Sequence, residues 1–63
     1  MSKSEERLIG DLHRVAPSVL IHDVLPWFKS DEKRDQMSAY IENGTITNEQ
    51  QLVVKILDEF MDY

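Results

Sequence analysis

The side chains that could do metal chemistry are few and lie far apart in the sequence. The chain has two imidazoles, His13 and His22, with Asp11 and Asp23 near them, and it has no Cys. A transition-metal site usually takes three or four ligands of these types, and the spacing here resembles no closed site. We therefore predict no metal, with His13 partly exposed and His22 hydrogen-bonded.

The serines do not form a recognisable nucleophilic site. Hydrolysis by a serine needs a base and an orienting group that converge on the hydroxyl in a cleft. Ser4 and Ser30 fall at predicted helix starts, Ser18 and Ser38 fall inside predicted helices, and no Gly-rich phosphate cradle is present. The sequence predicts a protein that is not an enzyme, with no catalytic and no cofactor-binding residues.

The segment YIENGTITNEQQL, residues 40–52, resembles the second half of an EF-hand calcium loop. Gly44 and Ile46 have the spacing of the sixth and eighth positions of such a loop. The first, third and twelfth positions would then be Ala39, Ile41 and Gln50. Calcium needs carboxylates at these three positions, and none of them carries one. The segment is therefore predicted not to bind calcium.

The same segment has the pattern of a helix end followed by a helix start. Asn43 and Gly44 favour the positive backbone angle that occurs just after a helix. Thr47 is predicted to cap the next helix, with Gln50 completing a capping box. This last helix is predicted from Asn48 to about Tyr63.

Three further helices are predicted upstream. The first begins at Ser4 and ends at Ala16, because Pro17 disfavours the helical conformation of the preceding residue. The second is PSVLIHDVL, residues 17–25, which is apolar almost all round and is expected at the centre of the core, with a buried strand as the alternative. Ser30 is predicted to cap the third helix.

These elements predict an all-α fold. We expect one domain, residues 1–63, built as a small compact bundle or orthogonal array of about four short helices. The predicted core residues are Leu20, Val24, Trp27, Ile41, Ile56 and Phe60.

Length and composition limit the possible classes of protein. A chain of 63 residues buries only about 60% of its unfolded surface, so binding to a partner would add stability. The sequence begins without the apolar stretch of a secretory signal, and it contains no apolar run long enough to span a membrane. A cytoplasmic location is expected.

Charge is distributed unevenly along the chain. The net charge is −5, which disfavours binding to nucleic-acid phosphates. Residues 1–41 carry six basic and seven acidic groups, whereas residues 42–63 carry one basic and five acidic groups. The last third of the sequence therefore holds most of the negative charge.

The segment LDEFMDY, residues 57–63, conflicts with the helix dipole, which favours cations at a helix C-terminus. One interpretation is that Lys29, Lys33 or Arg34 folds back to neutralise the carboxylates, or that the end of the helix frays in water. The other is an acidic and aromatic surface that binds a basic partner. The predicted partner-binding residues are Asp58, Glu59, Phe60, Asp62, Tyr63 and Trp27.

Our leading hypothesis is a small non-catalytic regulator or inhibitor that binds another protein with a basic surface through its acidic C-terminal helix. One form would mimic the charge of nucleic acid, as small phage-like proteins do. The first alternative is a dimeric helix-turn-helix DNA-binding regulator that reads bases with the helix from Asn48. The second is a structural homodimer that buries Trp27, Phe28, Phe60 and Met61.

Overall fold

The computed structural model describes residues 2–60, and it confirms the all-α fold. Helix α1 spans Lys3–Val15, α2 spans Ile21–Val24, α3 spans Asp31–Glu42 and α4 spans Glu49–Lys55. A 3-10 turn, Leu25–Trp27, follows α2 directly. A wider turn of π type, Ile56–Phe60, continues α4. No strand occurs within residues 2–60.

Helix α1 begins at Lys3, one residue before the predicted start at Ser4. The hydroxyl of Ser2 accepts a hydrogen bond from the Glu5 backbone N–H, so Ser2 is the N-cap. Ser4, the predicted first residue, is buried within the first turn of α1. Both serines precede acidic residues, so the local pattern fits either position, and tertiary contacts of Ser4 decide between them.

The predicted second helix is mostly wrong. Residues 17–20 form a turn, in which the Val19 N–H donates to the Ala16 carbonyl, and α2 contains only four residues. The prediction that this segment is the centre of the core is also wrong, because α2 and the 3-10 turn contain no buried residue. Leu20 is 70% exposed, and Val24 packs only at the edge of the core. An element that is apolar all round does not reveal which of its sides will be covered.

The adjacent aromatic residues Trp27 and Phe28 separate at the end of the 3-10 turn. Trp27 is 42% exposed, so its predicted place in the core is wrong. Phe28 is 1% exposed and meets the ring of Phe60 edge to face, with ring centroids 5.2 Å apart. Phe60 also contacts Tyr40 edge to face. Phe28 thus supplies the core contact that was expected of Trp27.

The core is formed mainly by α1, α3 and α4 and the segments that follow them. Ile41, Ile56 and Phe60 are buried, as predicted. The other buried apolar residues are Leu8, Leu12, Ala16, Phe28, Met37, Ile46 and Leu52. Val15, Val19, Ile21, Val24, Leu25 and Tyr40 pack around them.

The predicted boundaries of α3 are confirmed, and the N-cap of α4 differs from the predicted one by one residue. Ser30 caps α3 through the Lys33 N–H, and Gly44 has a φ of 88° just beyond the other end. Asn48, not Thr47, caps α4 by accepting from the Gln51 N–H. The side-chain oxygen of Gln51 in turn accepts from the N–H and hydroxyl of Thr47. The cap therefore lies one residue later than predicted, and the returning glutamine bonds to the residue before the cap instead of to the cap itself.

Arg34 connects α1, the segment before α3 and α3 itself. Its Nη1 donates to the Phe28 carbonyl at 2.7 Å, and its Nε donates to Ser4 Oγ at 2.9 Å. Its Nη2 donates to Asp31 Oδ1 at 2.7 Å, and Ser4 also donates to that carboxylate. The hydrogen bond from Ser4, and to a smaller extent the one from Arg34, lowers the pKa of Asp31. The exposed fraction of the Arg34 side chain is only 15%, so these bonds are partly shielded from water.

The buried position of Phe28 predicts a large effect on stability. Phe28→Ala leaves a cavity beside Phe60 and should lower the free energy of unfolding by about 3 kcal/mol or more. Trp27→Ala is the control, because Trp27 is the adjacent aromatic but is substantially exposed. Urea denaturation followed by circular dichroism measures both variants. Equal losses in the two variants would contradict the assigned roles of Trp27 and Phe28.

Candidate functional site

The outer face of α4 carries exposed apolar side chains. Val53, Val54 and Leu57 are 47%, 60% and 50% exposed, respectively. Leu57 is four positions after Val53 and three after Val54, so its side chain neighbours both on the helix surface. We define the outer face of α4 as Gln50, Val53 and Val54 of α4 together with Leu57 and Asp58 of the π-type turn that continues it, all of which are exposed.

A hollow of about 440 Å³ adjoins this face. Its lining residues are Thr45, Ile46, Asn48, Gln50, Gln51, Val54, Lys55 and Asp58. The walls come from the turn between α3 and α4 and from α4 itself, and the turn is fixed because Asn43 Oδ1 accepts from both the N–H and the hydroxyl of Thr45. The outer face therefore combines protruding aliphatic groups with a concave, mixed polar edge.

Glu59, a predicted partner-binding residue, is already paired within the chain. Lys55 Nζ lies 2.7 Å from Glu59 Oε2, and the Tyr40 hydroxyl donates to Glu59 Oε1 at 2.8 Å. These bonds lower the pKa of Glu59, and the bond from Lys55 has the larger effect. Lys55 also lies 4.8 Å from the centroid of the Tyr40 ring. Glu59 is neutralised by its own helix, not by Lys29, Lys33 or Arg34 as one interpretation predicted.

The other predicted partner-binding residues occupy different environments. Asp58 is exposed on the outer face of α4, whereas Phe60 is 4% exposed and packs in the core. Trp27 is exposed at the end of the 3-10 turn. Asp62 and Tyr63 lie outside the described residues. The structure thus places Asp58 with the aliphatic residues of α4, and it does not place Phe60 on the same surface.

A second cluster of charged groups joins α1 to α3. Arg7 binds Glu42 through two hydrogen bonds of 2.8 Å and reaches Asp35 at 3.4 Å. Arg14 lies 2.9 Å from Asp11 Oδ1. The other oxygen of Asp11 is buried and has no hydrogen-bond partner among the described residues.

The two carboxyls of this cluster have pKa values shifted in opposite directions. Burial raises the pKa of Asp11, and the neighbouring carboxylate of Glu42 raises it further. Hydrogen bonds from Arg7 are the main reason that the pKa of Glu42 falls to about 2. Opposite shifts of this kind are typical of acid–base pairs, but they also occur in structural ion pairs. The two hydrogen bonds between Arg7 and Glu42 join α1 to α3, and neither Asp11 nor Glu42 lines the hollow beside α4.

Within residues 2–60, no group of three or more His, Cys, Asp or Glu side chains could hold a metal ion. In the same part of the chain, no helix has the length and apolar character needed to cross a membrane. Comparison with protein-family models, with curated proteins and with solved structures finds no match.

Sequence analysis missed the aliphatic part of the outer face. The spacing of apolar residues in the last helix predicts one broad apolar face of Leu52, Val53, Ile56, Leu57 and Phe60, but Val53 and Leu57 are exposed. A helix that packs on one side buries a stripe narrower than this face. The extra width of the apolar face was therefore the signal that some of its residues are exposed. Val54, on the far side from Leu52, extends the exposed patch.

The charged cluster predicts opposite effects of two substitutions at neutral pH. A carboxyl with a raised pKa disfavours the folded state once it is ionised, so Asp11→Asn should increase the free energy of unfolding at pH 7. This gain should disappear below the ordinary pKa of 3.8, where Asp11 is protonated in both states. Glu42→Gln should instead decrease stability at pH 7. That loss should shrink as the pH falls from 4.5 towards 2, the interval between the ordinary and folded pKa values.

Urea denaturation at pH 7 and at about pH 3 measures both effects. Asp35→Asn is the control, because this carboxylate is about half exposed and its distance from Arg7 is longer. Its effect should be small at both pH values. A loss of stability in Asp11→Asn that is the same at both pH values would show that hydrogen bonding of Asp11, not its charge, is what matters.

Proposed function

We propose that this chain is a non-catalytic protein that regulates or inhibits a partner protein by binding it through the outer face of α4. The observation that carries the proposal is the exposure of Val53, Val54 and Leu57 side by side on one helix. Contiguous apolar patches with a polar rim are typical of protein interfaces. A cytoplasmic location is part of the proposal, and it is consistent with the absence of Cys.

The charge of the last third of the chain favours a partner with a basic surface. Residues 42–63 have a net charge of −4, from five acidic groups and one basic group. Asp58 lies next to the aliphatic residues, so a cation on the partner could pair with it at the rim while the apolar groups are buried. Complementary charge of this kind speeds association and selects among partners.

The pairing of Lys55 with Glu59 favours a protein partner over DNA. DNA binding through α4 would need cations free to contact phosphates. Lys55 is the single basic residue of positions 42–63, and it is bound to Glu59 and Tyr40. The exposed aliphatic groups also favour apolar contact with a protein over mimicry of nucleic-acid charge, because mimicry needs a dense array of exposed carboxylates.

The test is a binding measurement with a partner identified by pull-down from cell lysate. The purified partner is titrated with the wild type, with a Val54→Ser and Leu57→Ser double variant, and with Asp58→Asn. The double variant should bind at least about tenfold more weakly, because each truncation removes apolar contact worth roughly 1 kcal/mol or more. Binding of the wild type should weaken as salt is raised, and Asp58→Asn should reduce that dependence.

Leu20→Ser is the control, since Leu20 is an exposed aliphatic residue on a different part of the surface. It should leave the affinity for the partner unchanged. If the partner binds the double variant as tightly as the wild type, the outer face of α4 is not the binding surface. Retention of DNA by the wild type, with no protein partner, would favour the helix-turn-helix alternative.

A further inference from the structure

The turn between α3 and α4 contains an asparagine followed by a glycine. Asn43 directly precedes Gly44, whereas Asn48, the other asparagine of the chain, is followed by Glu49. Asparagine is a thermolabile residue. It loses its side-chain amide most readily before glycine, because glycine has no Cβ to shield its backbone nitrogen. The turn therefore carries a side chain that can react with its own backbone.

The reaction is deamidation through a cyclic imide. The backbone nitrogen of Gly44 loses its proton and attacks Cγ of Asn43, and the side-chain nitrogen leaves as ammonia. Water then opens the imide ring. Attack of water at Cγ gives aspartate at position 43, whereas attack at the backbone carbonyl carbon gives isoaspartate, in which the main chain runs through the side-chain carbons. Water is the only co-reactant, and the solvent supplies it.

The backbone conformation of the folded turn keeps this ring from closing. Closure requires the Gly44 nitrogen to eclipse Cβ of Asn43 about the Cα–C bond. Asn43 has a φ of −89° and a ψ of 0°, and a ψ of zero makes the Gly44 nitrogen eclipse the Asn43 nitrogen instead. Cβ and the backbone nitrogen are different substituents of a tetrahedral Cα, so the attacking atom is rotated away from Cγ. Cyclisation therefore requires a large change in ψ.

Hydrogen bonds on both reacting groups oppose that change. Oδ1 of Asn43 accepts from the Thr45 N–H at 2.9 Å and from the Thr45 hydroxyl at 2.7 Å, which fixes the side-chain amide. The Gly44 N–H donates to the Ile41 carbonyl at 3.3 Å, so the attacking nitrogen is bonded through the proton that it must lose. A change in ψ large enough for attack would break these bonds and open the turn.

We propose that Asn43 is a site of spontaneous deamidation and that the conformation of the folded turn, not burial, suppresses the reaction. Asn43, Gly44 and Thr45 are exposed, and the space beside Gly44 is open, so water and a base reach the reacting atoms. The folded turn lacks only the geometry for attack. The reaction therefore proceeds in the fraction of molecules whose turn has opened. It does not depend on the proposed function.

The two products differ in their effect on the fold. Aspartate at position 43 keeps an oxygen that can accept from Thr45. Isoaspartate lengthens the main chain, so the bond from the Ile46 N–H to the Tyr40 carbonyl, now 3.0 Å long, is lost from its register. Ile46 is 1% exposed and also lines the hollow beside α4. Formation of isoaspartate is therefore an irreversible loss of this turn that reaches the core.

The rate of deamidation in the full chain tests the proposal. The protein is incubated in native buffer and in guanidinium chloride at the same pH and temperature, and samples are digested with trypsin. Cleavage after Arg34 and Lys55 releases residues 35–55, which contain both asparagines, and mass spectrometry locates the converted one. Asn43 should react at least about tenfold more slowly in native buffer, since only open turns react. Asn48 is the internal control and should react slowly in both, because the residue after it carries a side chain.

Two threonine variants test the role of the turn. Thr45→Val removes the hydroxyl that bonds to Asn43, and it should raise the deamidation rate in native buffer severalfold. Thr47→Val is the matched control, because the Thr47 hydroxyl donates to Gln51 instead, and it should leave the rate unchanged. Equal rates for Asn43 in native buffer and in guanidinium would overturn the proposal. A rate in Thr45→Val no higher than in Thr47→Val would overturn it as well.

The stability of the products provides a second measurement. The isoaspartate form, separated by chromatography, should unfold at a lower urea concentration than Asn43→Asp, which has the same charge and a main chain of normal length. Equal midpoints for the two forms would contradict the predicted loss of the turn.

Discussion

Burial of Phe28 is the interaction on which the rest of the structure depends. Its ring packs against Phe60 at the end of the π-type turn, while its carbonyl accepts from Arg34, which also binds Ser4 at the start of α1. One residue therefore links both ends of the described chain to the start of α3. A carbonyl next to a buried ring would be costly without a hydrogen bond, and a guanidinium can supply one while also bonding to two other groups.

The arrangement around Phe28 determines which surfaces remain uncovered. Because Phe60 faces inward, the π-type turn and α4 present their opposite side to solvent, and that side holds Val53, Val54 and Leu57. Because Phe28 takes the core position next to Trp27, the segment before it stays at the edge of the core, and Leu20 protrudes. A chain of 63 residues has too little material to cover both surfaces. Both apolar patches therefore remain exposed.

Local signals in the sequence predicted most helix boundaries, but they did not predict which apolar side chains are buried. The Ser30 cap and the Asn43–Gly44 helix end depend on neighbouring residues, so they could be identified from sequence. Whether Trp27 or Phe28 enters the core depends on contacts with Phe60, more than 30 positions away. For the same reason, only part of the candidate site could be predicted. The place of Asp58 on it was predicted from the charge of the sequence, whereas the exposure of Val54 depends on which side of α4 packs against the core.

The way α4 is attached has a consequence for local motion. The backbones of α1 and α3 pack closely, whereas α4 is attached largely by the side chains of Leu52, Ile56 and the residues around Phe60. Such a segment opens at a lower free energy than the whole domain, so its backbone amides should exchange with solvent sooner than those of α1 and α3. A ligand on its outer face binds the docked form and raises that opening free energy by mass action. Occupancy of the surface and order of the last helix are therefore thermodynamically linked.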